Sequence, residues 1–386
     1  MARIERISAH PLHVSAKTNW LFLRVECAGG LVGWGEASLN GWEPLQLAAT
    51  QLRADELTGL ELAEAQQRVK ASAQSPGGLA ANAVASALQQ AFVMLEAQAQ
   101  QVPVWQVLGT LQRERVPLYA NINRATTERT PTGFARTATE AFKQGFRGFK
   151  AAPFDGVTRA NCASAEGQAR IRHGIDCLLA IRDAVGLEAR LMVDCHWRFD
   201  EARALDTLRA LASAKLHWFE CPLAETADQW PALRRIRAAA REQGVLLAAA
   251  ETQVGLDAFR ILFDQQLYDV VMPDVKYCGG PREMLAIAEL ATERGVVFSP
   301  HNPTGPVCTL FSLHVGAVAP ECQMLELQFN ESPLSDALLC GRHPAVVDGT
   351  FVVPQQAGLG APFAEELLAQ HPYQPVPFGI ETLLTQ

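Results

Sequence analysis

The sequence predicts an α/β protein: a barrel of parallel strands alternating with helices, preceded by a smaller α+β domain. Two observations carry this prediction. Eight short apolar runs recur between residues 116 and 327, and most are followed by a stretch of helical spacing. Polar, ionisable residues close almost every one of those runs, where a stability-only pattern would leave apolar ones.

The first 115 residues read differently from the rest. Arg3 to Ile7 and Trp20 to Val25 alternate as strands, Gly29-Gly30 makes a turn, and residues 31–36 return as a hairpin strand. The Gly33-Trp34-Gly35 pair of glycines lacks the third glycine of a nucleotide loop, and its flanks are strand-like. Residues 45–72 and 80–100 are rich in Ala, Leu and Gln at helical spacing. Residues 1–115 are therefore expected to form antiparallel strands followed by helices.

The eight runs are 116–122, 147–152, 189–194, 216–221, 245–251, 268–274, 296–301 and 322–327. Helix-start signals fall between them at Thr130-Pro131, Asp200 and Gly280-Pro281. Residues 116–350 span 235 positions, against about 250 for a (β/α)8-type barrel. A doubly wound open sheet is the structural alternative. Even spacing and polar strand ends favour the barrel. A Pro/Gly-rich segment closes the chain.

Composition narrows the class. The chain has 386 residues, 48% hydrophobic and 19% charged, so a packed core is expected rather than disorder. A net charge of −8 argues against nucleic acid as partner. No uninterrupted run of 18 apolar residues suggests a membrane span, and the first residues lack a secretory pattern. Nine scattered cysteines with no CxxC pair fit a reduced, cytoplasmic setting.

Active sites of such barrels lie at the C-terminal strand ends. Those ends carry Lys150, Asp194 with His196, Glu220, Glu251, Asp274, His301 and Glu326. Asp194, Glu220 and Glu251 on adjacent strands would converge and repel unless a cation joins them. Oxygen ligands suit Mg²⁺, or Mn²⁺. His196 lies two residues past Asp194, so a continuing strand would put both on one face. Asp274 and His301 fall one unit apart and would pair at the rim. A metal, two histidines and a lysine suggest proton removal beside a carboxylate. The resulting enediolate needs cationic support, and an acid in the same pocket could expel a β-hydroxyl.

These residues sit in segments that resemble the enolase superfamily, in its mandelate racemase subgroup. The resemblance runs through Gly33-Trp34-Gly35-Glu36, residues 86–109, Val193-Asp194, Trp218 to Pro222, Ala250-Glu251-Thr252, Met272 to Gly280, Ser299 to Pro306, and Asp348-Gly349 through Gly358-Leu359-Gly360. Residues 86–109 depart from the pattern at Met94, Ala97 and Gln98. The resemblance implies a modified (β/α)7β-barrel over 116–350, with an N-terminal α+β capping domain over 1–115 and a C-terminal return over 351–386. It implies Mg²⁺ held by Asp194, Glu220 and Glu251, a homo-oligomer, and closure over the substrate by residues 15–20 and 40–44. The second lysine of the subgroup's Lys-x-Lys is Ala152 here, which weakens a two-base racemase. Asp194-Cys195-His196 with the Asp274–His301 dyad resembles the acid-sugar dehydratases of the galactonate dehydratase type. That resemblance implies His301 as base, Asp274 as its partner, His196 as acid, Glu326 facing the substrate carboxylate, and Lys150 as positive charge or second base. A small-molecule acid sugar would be the substrate. A racemase or epimerase, and a non-catalytic acid-sugar binder that keeps the metal site, are the alternatives. Asn123 and Arg124 could hold hydroxyls or face solvent.

Overall fold

The computed structural model describes residues 3–71 and 75–375. Strands β1 (Ile4–Ser15), β2 (Thr18–Cys27) and β3 (Leu31–Glu36) form an antiparallel sheet in that order. The expected helical stretches are found at Glu43–Leu57, Leu62–Arg68 and Gly78–Ala99; residue 72 lies outside the described residues. Helix Gly78–Ala99 is long and apolar enough to cross a membrane by length and composition, yet most of it is buried against β3 and the rest of the N-terminal domain. The glycines of β3 explain the close fit. A Cβ on Gly33 or Gly35 would overlap the backbone carbonyls of Ala91 and Ala87 on that helix.

The second sheet is built from β4 (Arg115–Asn121), β5 (Gly148–Ala151), β6 (Arg190–Asp194), β7 (Trp218–Glu220), β8 (Leu246–Ala249), β9 (Val270–Val271), β10 (Val297–Phe298) and β11 (Leu325–Gln328). All eight fall within or beside the eight apolar runs. They pair in parallel from β4 to β10, and β11 returns beside β4. Between β10 and β11 no ladder forms. The Gln323 and Glu326 amides donate to the Phe298 and Pro300 carbonyls at 3.0 and 3.3 Å instead. A helix follows each strand from β4 to β10, whereas β11 is followed only by the five-residue helix Leu334–Leu338, which makes the architecture a (β/α)7β barrel. Thr130, Ser164 and Asp200 cap three of these helices with side-chain oxygens that accept amide hydrogens. After β11, β12 (Val346–Val347) and β13 (Thr350–Val352) form a hairpin that pairs with the start of β4. The chain then returns to the N-terminal domain. The Val104 amide donates to the Gly358 carbonyl at 2.9 Å, and Phe363 stacks on Trp34. Residues 376–386 of the expected return lie outside the described residues.

Strand alternation decides what faces the barrel axis. Tyr119, Met192, Trp218, Ala248, Val270 and Met324 form a small inner cluster. Leu191, Val193, Phe219 and Leu247 point outward into the main core beneath the helices. Two residues beyond Met192 and Trp218, the same inward face carries Asp194 and Glu220.

One core group makes the fold acid-sensitive. His314, fully buried on helix Pro306–Val318, meets the Leu359 carbonyl at 3.2 Å, and burial pushes its pKa down to about 4. The unfolded chain therefore takes up this proton first as pH falls. The stability is complete above pH ~6.5 and is lost as pH drops towards ~4, about 3 kcal/mol in all. His314→Phe is expected to lessen the fall in urea midpoint between neutral and acid pH. An unchanged pH slope in the variant would remove His314 from the account.

Candidate active site

The strand ends bring the expected residues to one rim. Asp194 and Glu220 sit opposite each other in the β6–β7 register. Lys150 rises from β5 between them and β11: its Nζ lies 2.7 Å from Glu220 Oε1 and 2.9 Å from Glu326 Oε1. Glu220 also accepts from Trp218 Nε1 at 2.8 Å. Glu326 accepts from Asn121 Nδ2 at 2.7 Å and from the Asn302 amide at 3.0 Å. Lys150, Glu220 and Glu326 are all buried. Burial acts to lower the Lys150 pKa, but the two carboxylates outweigh it and hold the ammonium well above the ordinary lysine value. Burial likewise opposes ionisation of Glu326, and Lys150 overrides it, so Glu326 is held ionised below the usual range. Lys150, expected as positive charge or second base, is paired here with two buried glutamates.

The dyad forms as expected. His301 Nδ1 stands 2.7 Å from Asp274 Oδ2, and the two backbones bridge in parallel. Lys276 Nζ lies 2.6 Å from the same oxygen, and the Lys276 amide donates to Oδ1 at 2.9 Å. These partners keep the Asp274 carboxyl low despite its burial. Burial lowers the His301 pKa against the pull of Glu326 and Asp274, leaving a neutral imidazole at pH 7. With Nδ1 taken by Asp274, Nε2 carries the free lone pair on the cavity side, 3.5 Å from Glu251.

His196 reaches the site by a different route from the one expected. The strand ends at Asp194, and His196 and Trp197 adopt φ of 47° and 55°. Strand alternation therefore does not place it. A left-handed turn does, folding His196 Nε2 back to 2.7 Å from Asp194 Oδ2 while its amide donates to Oδ1 at 2.8 Å. Cys221 and Ala250, beside Glu220 and Glu251, are also left-handed, with φ of 44° and 81°. Non-glycine residues in this region are strained, and three adjacent strand ends share it.

The expected ligand trio is not yet gathered into one compact group. Ligand atoms of Asp194, Glu220 and Cys221 lie within 4.8 Å of one another, while Glu251 is not in that group. Burial pushes the Cys221 thiol far up, so it stays protonated and suits a hard cation poorly. Glu251, by contrast, leaves Oε2 buried with no hydrogen-bond partner among the described residues. Burial and the charges of Asp194 and Glu220 drive its pKa well up. Burial, with repulsion from Asp194 and Glu326, also raises Glu220 against the pull of Lys150. Carboxylates that resist ionising together, one with an orphaned oxygen, fit a divalent cation with oxygen ligands.

Asn121, Asn123, Arg124, His196, Gln328 and Pro303 complete a chamber of about 240 Å³ above Lys150, Asp194, Glu251 and His301. A second chamber of about 190 Å³ lies under the N-terminal domain, walled by Thr18, Asn19, Trp20, Asn40 and Trp42 together with Arg124 and His301. Segments 15–20 and 40–44 thus stand over the site, the first as the β1–β2 turn with its flanking strand ends and the second as a turn leading into helix Glu43–Leu57. The Asn19 amide ties them together through Asn40 Oδ1 at 3.0 Å. Sequence reasoning missed Glu36. It is fully buried at the end of β3, where it accepts from Thr304 Oγ1 at 2.7 Å, Gly305 N at 2.8 Å and Cys308 N at 3.0 Å. This carboxylate of the N-terminal domain caps helix Pro306–Val318, directly after the His301 loop. The Gly-x-Gly-Glu hairpin was its only local signal.

Fold and rim together define a (β/α)7β-barrel enzyme with an acidic, metal-competent site beneath a capping domain. Residues 2–109 match the mandelate racemase/muconate lactonizing enzyme N-terminal domain, and residues 133–367 match the enolase C-terminal domain-like family. The chain belongs to the mandelate racemase/muconate lactonizing enzyme family of the enolase superfamily. It is 28% identical over 363 residues to a D-galactonate dehydratase of Xanthomonas oryzae pv. oryzae, covering 92% of this chain and 91% of that protein. A D-galactonate dehydratase family member of Streptomyces bingchenggensis is 28% identical over 398 residues, covering 96% and 93%. Among solved structures, a mandelate racemase/muconate lactonizing enzyme from Jannaschia sp. CCS1 superimposes with a TM-score of 0.84 at 24% identity, over 96% of this chain and 98% of that one. One from Sulfitobacter sp. gives 0.85 at 22%, over 97% and 96%. These structures share the fold.

Lys150 offers a direct test of the charge balance. Lys150→Met leaves Glu220 and Glu326 buried without their cation, and is expected to cost about 3–5 kcal/mol of stability without metal. Added Mg²⁺ should recover more of the melting temperature in the variant than in the parent. A variant that melts like the parent without metal would contradict this role.

Proposed function

We propose that the protein is a Mg²⁺-dependent dehydratase of an acid sugar, an aldonate such as galactonate, releasing a 2-keto-3-deoxy acid. The observation that carries this reading is the pairing of two histidines across one chamber: a neutral His301 backed by Asp274, and His196 beside Asp194. A single base would suffice for exchange at the α-carbon, whereas loss of a hydroxyl needs an acid as well. The dehydratase names of the relatives support the same class.

In this reading Asp194, Glu220 and Glu251 would hold the cation, which would supply positive charge where the substrate carboxylate and its enediolate lie. His301 takes the α-proton on Nε2, while Asp274 steadies the imidazolium. His196 gives a proton to the β-hydroxyl, which leaves as water as the enediolate electrons form the carbon–carbon double bond. The enol then tautomerises to the ketone. Glu326, hydrogen-bonded by Lys150, Asn121 and the Asn302 amide, would face the substrate carboxylate, protonated or hydrogen-bonded when substrate is present. Residues 1–115 with the return over 351–386 would form the cap, and 116–350 the catalytic barrel, in a cytoplasmic homo-oligomer.

Isotope exchange tests the assignment. His301→Asn is expected to abolish both α-deuteration in D₂O and keto-acid release. His196→Asn should lose release by about 10²-fold or more while exchange survives. Exchange lost together with release would refute an acid-only role for His196. Epimerised, deuterated substrate without water loss would favour the racemase alternative.

A further inference from the structure

One ion pair stands where the cavities above the site meet. Arg124, in the loop after β4, walls both the inner and the outer chamber. Its guanidinium lies 2.5 Å from Oε1 of Glu331, in the loop after β11, and the Glu331 side chain is only 7% exposed. Thr18 Oγ1 donates to the same oxygen at 2.8 Å, so one carboxylate joins two barrel loops to the β1–β2 turn. Glu331 also walls a third cavity of about 340 Å³. That cavity shares Gln328 with the inner chamber, and Trp20 and Thr304 with the outer one. Glu331 Oε2, Gln328 Oε1 and Trp20 Nε1 are buried with no hydrogen-bond partner among the described residues.

We propose that the Arg124–Glu331 pair determines specificity, selecting an acid sugar whose far end is uncharged and hydroxylated over one that ends in a second carboxylate. The inference rests on the dehydratase reading above and refines its substrate. The physical argument is one of charge and donors. The buried cations of the site are already committed, Lys150 to Glu220 and Glu326, and Lys276 to Asp274. Arg124 is committed to Glu331. Asp336 adds another carboxylate to the third cavity. A second carboxylate arriving here would meet like charge with no uncommitted lysine or arginine among the described residues that line these cavities. A hydroxyl is suited to the same place. It can donate to a carboxylate or to the Gln328 oxygen, and can accept from the Trp20 indole or the remaining guanidinium hydrogens.

The test pairs aldonates with aldarates of equal chain length and hydroxyl configuration, using the intact protein with Mg²⁺. Aldonate kcat/KM is expected to exceed that of its aldarate by at least about tenfold at low ionic strength. Glu331→Gln should shrink the ratio chiefly through a lower KM for the aldarate, whereas added salt, which screens a buried carboxylate little, should change it less. Equal or better use of aldarates by the parent protein would overturn the proposal, as it would mean that Arg124 releases Glu331 to bind them. A ratio unmoved by the substitution would overturn it too. The comparison of aldonate with aldarate needs only the parent protein, so it decides even if the variant does not fold. Each pair is also compared by Mg²⁺-dependent thermal stabilisation. Absence of all turnover would defeat the dehydratase reading, while the binding ratio still decides this one.

Discussion

Crowded negative charge at the barrel mouth is the constraint to which the rest of the structure answers. Asp194, Glu220, Glu251, Asp274 and Glu326 close neighbouring strands and all are buried. Like carboxylates at this spacing cannot all ionise unaided. Lys150 neutralises the part of the rim nearest β11, and Lys276 neutralises Asp274, to which His301 is hydrogen-bonded. Asp194, Glu220 and Glu251 are left with less positive charge than negative. That imbalance is the physical reason the rim favours a divalent cation, and the lysines are placed so that it stays confined to one side.

Holding charges so close demands a backbone that gives up ideal geometry. The left-handed turns at His196, Trp197, Cys221 and Ala250 occur where β6, β7 and β8 deliver their acids. Such strain persists only when the surroundings over-determine it. The barrel supplies that support below, through the Tyr119–Trp218 contact and the hydrogen bond from Trp218 to Glu220. Glu36 supplies it from above, fastening the loop that follows His301 to β3 of the N-terminal domain. The His301 loop is therefore positioned by both domains, although His301 itself belongs to the barrel.

How much of this was legible depended on the range of the interaction. The eight strands and their terminal acids could be read because period-two alternation and apolar runs are local signals, and Lys150, Asp194 and Glu220 follow from them directly. The dyad was readable because Asp274 and His301 are one strand unit apart. His196 stands at the rim by a route that alternation does not give: the strand stops at Asp194, and a left-handed turn brings the ring back. Glu251 is placed less directly, since it lies two residues past the last residue of β8 and outside the Asp194–Glu220 register. Glu331 gave no signal at all. Its partners Thr18 and Arg124 are 313 and 207 positions away, and no periodicity reports a contact between loops so far apart.

The whole-chain charge of −8 acquires a different meaning once it is resolved in space. It is a poor guide to what an anionic ligand meets, because much of the surface charge is paired: Glu201 with Arg235, Asp155 with Arg129, Asp264 with Arg294. The decisive charges are the buried ones, which water and salt screen least. At the floor of the chamber they favour a cation before they favour an acid. At its far wall the Arg124 guanidinium is already matched by Glu331. On the proposed reading, an acid ligand would be attracted at one end only, and the polarity of the cavity itself would orient it.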